Sequence, residues 1–96
     1  MDKQNLMYKL PVNIIKQGKS FVAYSPALDI STVGKSIKDA QIKFSELSSL
    51  FFEELIKKGT LSEVLTELSW KKVQKSWNPP KIVSNLSIGI ILPTAI

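Results

Sequence analysis

The octapeptide Asp29-Ile-Ser-Thr-Val-Gly-Lys-Ser36 ends like a nucleotide-binding loop. A phosphate-cradling loop reads G-x-x-x-x-G-K-[ST], because glycine lets successive backbone N–H groups wrap an anion. The first glycine of that pattern would stand at position 29, where this chain has Asp29. An aspartate there sets a negative charge beside the phosphate. A strand, a glycine turn at Gly34 and a helix N-cap at Ser36 account for the same residues, and this is the expectation adopted.

Acid/base or metal chemistry would have to come from Asp2, Asp29, Asp39, Glu46, Glu53, Glu54, Glu63 and Glu67. Two-metal hydrolysis needs several carboxylates converging from strands and a helix. Of these, only Asp29 falls in a strand-like region, and the glutamates at 46, 53 and 54 fall on the polar side of a helical pattern. The chain has no cysteine and no histidine, which excludes disulfides, thiolate or imidazole metal sites and every His-dependent dyad. No enzyme activity, cofactor or metal is expected.

A third group suits polyanion binding. Residues 70–81, WKKVQKSWNPPK, set Lys71, Lys72, Lys75 and Lys81 beside Trp77. Aromatic planes with lysines suit single-stranded nucleic acid, where bases stack and phosphates are neutralised. These five are the candidate RNA-binding residues. The plainer reading has Trp70 capping the core, Trp77 covering a sheet edge and the lysines solvated. All thirteen basic residues are lysine and the net charge is +5. Without arginine there is no planar fork to read bases in two bonds, so sequence-specific readout is not expected.

The elements that must position these groups follow from periodicity. At 96 residues the chain is one domain, 1–96, with a core over 5–70, the basic segment 70–81 and a last strand over 86–92. Leu6, Tyr8, Leu10, Val12 and Ile14 alternate with Met7, Lys9, Pro11, Asn13 and Ile15, which predicts a first strand, an edge strand or one bulged at Pro11. Residues 21–24 predict a second strand across a Gln17-Gly18-Lys19 turn, and 28–33 a third.

Ile37, Ala40, Phe44, Leu47, Phe51 and Leu55 follow the helical period, with Phe52 and Ile56 widening the face, up to a C′ glycine at Gly59. Ser36 and Asp39 make a weak capping box. Thr60 and Glu63 make a better one, opening a short helix with Leu61, Val64, Leu65 and Leu68. Residues 71–81 should be extended or irregular, and Leu86–Leu92 should form the last strand. The fold class is α+β: a three-stranded antiparallel sheet plus a C-terminal strand, with one long helix on one face and a short second helix.

One sheet face then lacks cover. Met7 and Ile15 lie on the off-phase side of the first strand, so a partner or a second chain is expected there and the protein is expected to be an oligomer. The N-terminus does not read as a signal peptide, and the longest apolar run, Ile88–Leu92, is too short to span a bilayer. A cytoplasmic protein without membrane contact is expected.

The residues also carry a likeness. Leu10-Pro11-Val12, Phe21-Val22-Ala23-Tyr24, Pro26-Ala27-Leu28-Asp29, Ser31-Thr32, Gly34, Ala40 and Phe52-Glu53-Glu54-Leu55 resemble, in that order, the HicB-type antitoxin family; "GTLSEVLTELSW" and "WNPP" extend the likeness over about 5–80. The resemblance implies a partial RNase H-like fold without a working nuclease site. It further implies a protein that binds and blocks a small mRNA-cleaving HicA-type toxin. Many relatives add a C-terminal DNA-binding segment; this sequence resembles a solitary member without one. Met7, Ile15, Tyr24 and Asp29 are the candidate partner-binding residues.

Overall fold

The structure is a computed structural model, and it describes residues 9–94. The element order is β1 (Asn13–Gln17), β2 (Ser20–Ser25), β3 (Ile30–Gly34), α1 (Ile37–Lys58), α2 (Leu61–Glu67), β4 (Lys71–Val73) and β5 (Ser76–Asn78). The first three strands form an antiparallel sheet in the order β1-β2-β3, and β4 with β5 forms a separate hairpin. The architecture is α+β, with a long and a short helix.

β1 and β2 are joined at Gly18, whose φ of 60° suits glycine. Opposite residues share a face, so Ile14–Ala23–Thr32 form one row and Ile15–Val22–Val33 the next, on the other side. The first side faces α1. Buried Ala23, Ala40 and Phe44 make a cluster with Ile14, Phe21 and Ile30 packed around it.

Two caps define α1. Ser36 is extended at φ −147° and its hydroxyl accepts from the Asp39 N–H at 3.0 Å, while the Asp39 carboxylate accepts from the Lys35 N–H at 2.8 Å. At the far end Gly59 is left-handed, and the N–H groups of Gly59 and Thr60 donate to Ile56 and Leu55 carbonyls. This is a Schellman motif. It also explains why the Thr60–Glu63 capping box does not form. The Thr60 N–H is already committed to Leu55, its φ and ψ of −110° and 12° are not extended, and its side chain makes no cap bond. Ile37 and Ile56, expected on the apolar face, are 52% and 65% exposed.

A second core lies at the other end of the helix. Ala27, Leu28, Leu65 and Trp70 are buried together, with Leu10, Phe51, Phe52, Leu68 and Trp77 packed around them. Full burial of a side chain such as Leu28 is worth about 1.5–3 kcal/mol.

Three further sequence expectations are corrected. The first strand begins at Asn13 rather than at Leu6; Leu6–Tyr8 lie outside the described residues, and Lys9–Val12 lead into the strand without joining its ladder. The basic segment is a hairpin, with Lys71, Lys72 and Val73 paired to Asn78, Trp77 and Ser76. The C-terminal strand over 86–92 does not form: residues 79–94 hold no regular element. An isolated strand has no ladder partner, and without one the apolar pattern alone cannot fix β structure. The radius of gyration is 16.8 Å and the long axis 65 Å, against about 13 Å expected for the radius of a compact chain of this size.

Candidate functional site

The turn that resembles a phosphate loop is filled from within. The Lys35 N–H bonds Asp39 Oδ2 and the Asp39 N–H bonds Ser36 Oγ, so donors that would meet an anion are already satisfied. Lys43 adds an ion pair to Asp39 at 3.4 Å. The Lys35 N–H, followed by Lys43, holds the Asp39 carboxyl below its ordinary range. Gly34 has a packing role: a Cβ there would lie 2.6 Å from Ala40 Cα and 2.9 Å from the Asp39 carbonyl carbon. The glycine lets the end of β3 press against the first turn of α1. Among the described residues, no three acidic side chains gather as a metal-holding group.

The sheet face away from α1 is uncovered among the described residues. Its central row is Ile15–Val22–Val33, one residue from each strand. Ile15 is 48% exposed and Val33 53%. The neighbouring row is Asn13–Tyr24–Ser31. The Tyr24 hydroxyl donates to Asp29 Oδ1 at 2.9 Å. That bond raises the Tyr24 pKa, with lesser contributions from desolvation and the Asp29 charge.

Asp29 belongs to the β2–β3 turn rather than to a strand. It is left-handed at φ 55°, and its N–H donates to the Ser25 carbonyl, a conformation that aspartate tolerates better than most residues. Buried Ser25 braces the turn by accepting from the Ala27 N–H at 3.1 Å. The structure therefore brings Ile15, Tyr24 and Asp29 to one region; Met7 lies outside the described residues.

The five RNA-binding candidates divide. Strand alternation puts Lys72 and Trp77 on one side of the β4–β5 hairpin, with the Lys72 ammonium 5.7 Å from the Trp77 ring centre, a cation–π contact. Trp77 also packs on the core cluster around Trp70, so its ring is already engaged. Lys75 is in the hairpin loop. Lys71 and Lys81 instead line a groove of about 720 Å³ on the other side, together with Lys9, Pro11, Pro79 and Pro80. No acid lines it. Sequence reasoning missed Lys9, which is sixty-odd residues away from the basic segment along the chain; only the return of the hairpin to Pro11 brings it in.

Trp70 takes the plainer of its two sequence readings: it is buried, and its indole N–H donates to the Ala27 carbonyl at 2.8 Å. Among the described residues, no helix is long and apolar enough to cross a membrane. Comparison with known proteins finds no matching family model, curated protein or solved structure.

Proposed function

We propose that this chain is a non-catalytic, HicB-like interaction module that binds a small toxin ribonuclease of the HicA type and blocks it by steric occlusion. The observation that carries this reading is the uncovered Ile15–Val22–Val33 row beside the Tyr24–Asp29 pair. A three-stranded sheet with one face packed and the other apolar leaves a surface that a partner can desolvate. Asp29, held outward by its turn, supplies an acceptor for a basic partner surface. The resemblance to HicB-type antitoxins, over about residues 5–80, supplies the partner class.

The test is co-expression with a small basic ribonuclease encoded beside this chain. A stable complex and relief of toxicity are expected, both lost in Ile15→Asp and Val33→Lys. If no such neighbour exists, or the complex ignores both substitutions, the reading fails.

A second reading is favoured by one observation: Lys9, Lys71 and Lys81 share a groove that no acid lines among the described residues. It makes the protein an RNA-binding module that attracts phosphates there. Filter binding to single-stranded RNA would then weaken steeply with salt and weaken further in Lys71→Ala/Lys81→Ala. Absence of binding at low salt removes it.

A further inference from the structure

Two apolar features are unpartnered among the described residues, and they match. The first is a groove. α1 packs over β3 and β2, which leaves the inner side of β1 open beside the helix. Leu10, Val12 and Ile14 form one wall and Phe44, Ser45 and Ser48 the other, around about 310 Å³. β1 is an outer strand of its sheet among the described residues. Ser48 Oγ is sealed from solvent there with no hydrogen-bond partner among the described residues.

The second is the segment after the hairpin. Leu86, Ile88, Ile90 and Leu92 recur at every second position, the spacing of one strand face. All four are 73–80% exposed, and Val83 and Ile91 are 94% exposed. They touch no core. Residues 82–94 carry no charge, so neither a nucleic acid nor an ionic surface is their complement.

We infer that residues 86–92 of one copy add as a strand to the free β1 edge of a second copy. Their apolar face seats in the Leu10–Ile14 and Phe44–Ser48 groove, and the exchange is reciprocal. The i, i+2 spacing of Ile14 in β1 and of Leu10 and Val12 in the segment leading into it is the spacing of Leu86, Ile88 and Ile90, so an added strand presents side chains to the groove in step with this wall. The ladder groups of both edges become paired. Two arms and two grooves close on each other as an isologous dimer.

The hinge favours a second copy over the segment's own β1. Pro79 and Pro80 fix their own φ and hold Asn78 and Pro79 extended. No glycine occurs between them and Gly89 to reverse the chain. Every residue from 81 to 94 is exposed, the long axis is 65 Å, and no residue of the arm lines its own chain's groove. This surface is the edge and inner side of β1, separate from the outer face assigned to the toxin, so either reading can fail alone.

The test is sedimentation velocity of the full chain from low to high micromolar concentration. A mass about twice 10.7 kDa is expected. Ile88→Asp/Ile90→Asp should halve it while keeping the helical signal of α1 and α2 at 222 nm, because the arm contributes nothing to the core of its own chain. The absence of cysteine permits a second measurement. Val12→Cys and Ile88→Cys proteins are mixed and treated with a short bismaleimide; peptide mapping should find position 12 of one chain joined to position 88 of the other. A single-chain mass at all concentrations, including a monomer whose arm binds lipid vesicles instead, overturns the inference. So does a dimer that survives Ile88→Asp/Ile90→Asp, or a mixture of the two single-cysteine proteins that gives no 12–88 cross-link while a Val12→Cys/Ile88→Cys double variant cross-links within its own chain.

Discussion

The indole N–H of Trp70 donates to the carbonyl of Ala27 at 2.8 Å, joining residues 43 apart in sequence. This bond ties the end of α2 to the turn that presents Asp29. Trp70 also meets Phe52 edge to face, with ring centres 5.9 Å apart. Trp70→Phe leaves the Ala27 carbonyl without its indole donor and should cost about 1–3 kcal/mol. Trp70→Ala adds a cavity and should cost about 3–5 kcal/mol. Urea unfolding at constant slope reads both.

Gly34→Ala separates packing from phosphate binding. The new methyl would meet the Ala40 and Asp39 backbone, which cannot swing aside as a side chain would. Overpacking of at least about 1–3 kcal/mol is expected, visible as a lowered melting temperature. Addition of ATP with Mg²⁺ should leave the melting temperature of the unsubstituted protein unchanged; a rise would restore the nucleotide reading.

Ser69 takes the place of a C′ glycine. Its φ is 70°, its N–H donates to Thr66 and the Trp70 N–H donates to Leu65, which repeats the cap at Gly59. Ser69→Gly removes the steric penalty of a left-handed serine and should stabilise by about 0.4–1 kcal/mol. Pro or Val at this position should destabilise.

Asp39 gives a pH signature. Its folded pKa lies below the ordinary value, first because the Lys35 N–H bonds its charged form. A depressed carboxylate stabilises the fold above its unfolded pKa, about 3.9, and the contribution is lost as pH falls through the folded value. The stability difference between the unsubstituted protein and Asp39→Ala should therefore be constant near neutrality and shrink on acidification below about pH 4. Ser36→Ala, which removes the N-cap acceptor, should cost about 1 kcal/mol with little pH dependence above that range.

Local chemistry was legible in the sequence where one element decides it. The α1 period, Gly59 and the Ser36 cap needed only neighbouring residues. Thr60 shows the limit: its capping pattern is the better of the two on paper, but the Schellman motif of the preceding helix takes its N–H first. The hairpin at 71–78 was missed because Gln74, at φ 57°, stands where a glycine or asparagine would have announced the turn. Leu86–Leu92 has a strand's alternation, yet a strand exists only with an edge to pair against, and nothing in its own residues specifies that edge. For the candidate site, strand alternation was enough to put Ile15 on the uncovered face. It could not place Val33 beside Ile15 without the register, or Lys9 beside Lys71 without the fold.

Register also makes the last prediction specific. Ile15, Val22 and Val33 stand directly opposite one another, so they act as one patch, whereas Ile14 one residue away packs towards the helix. Ile15→Asp and Val33→Lys place a charge on a half-exposed, outward position and should change folding stability by no more than about 0.5 kcal/mol. Each should nevertheless weaken the proposed toxin complex by about 1–3 kcal/mol or more, tenfold to over a hundredfold in Kd, because a charge would be desolvated without a partner at its centre. Ile14→Asp should do the reverse and unfold the sheet. Isothermal titration of the purified pair, beside urea unfolding of the free chain, separates the outcomes. Equal loss of stability and binding at Ile15 and Val33 would mean that this face belongs to the core, and the occlusion mechanism would have to move elsewhere.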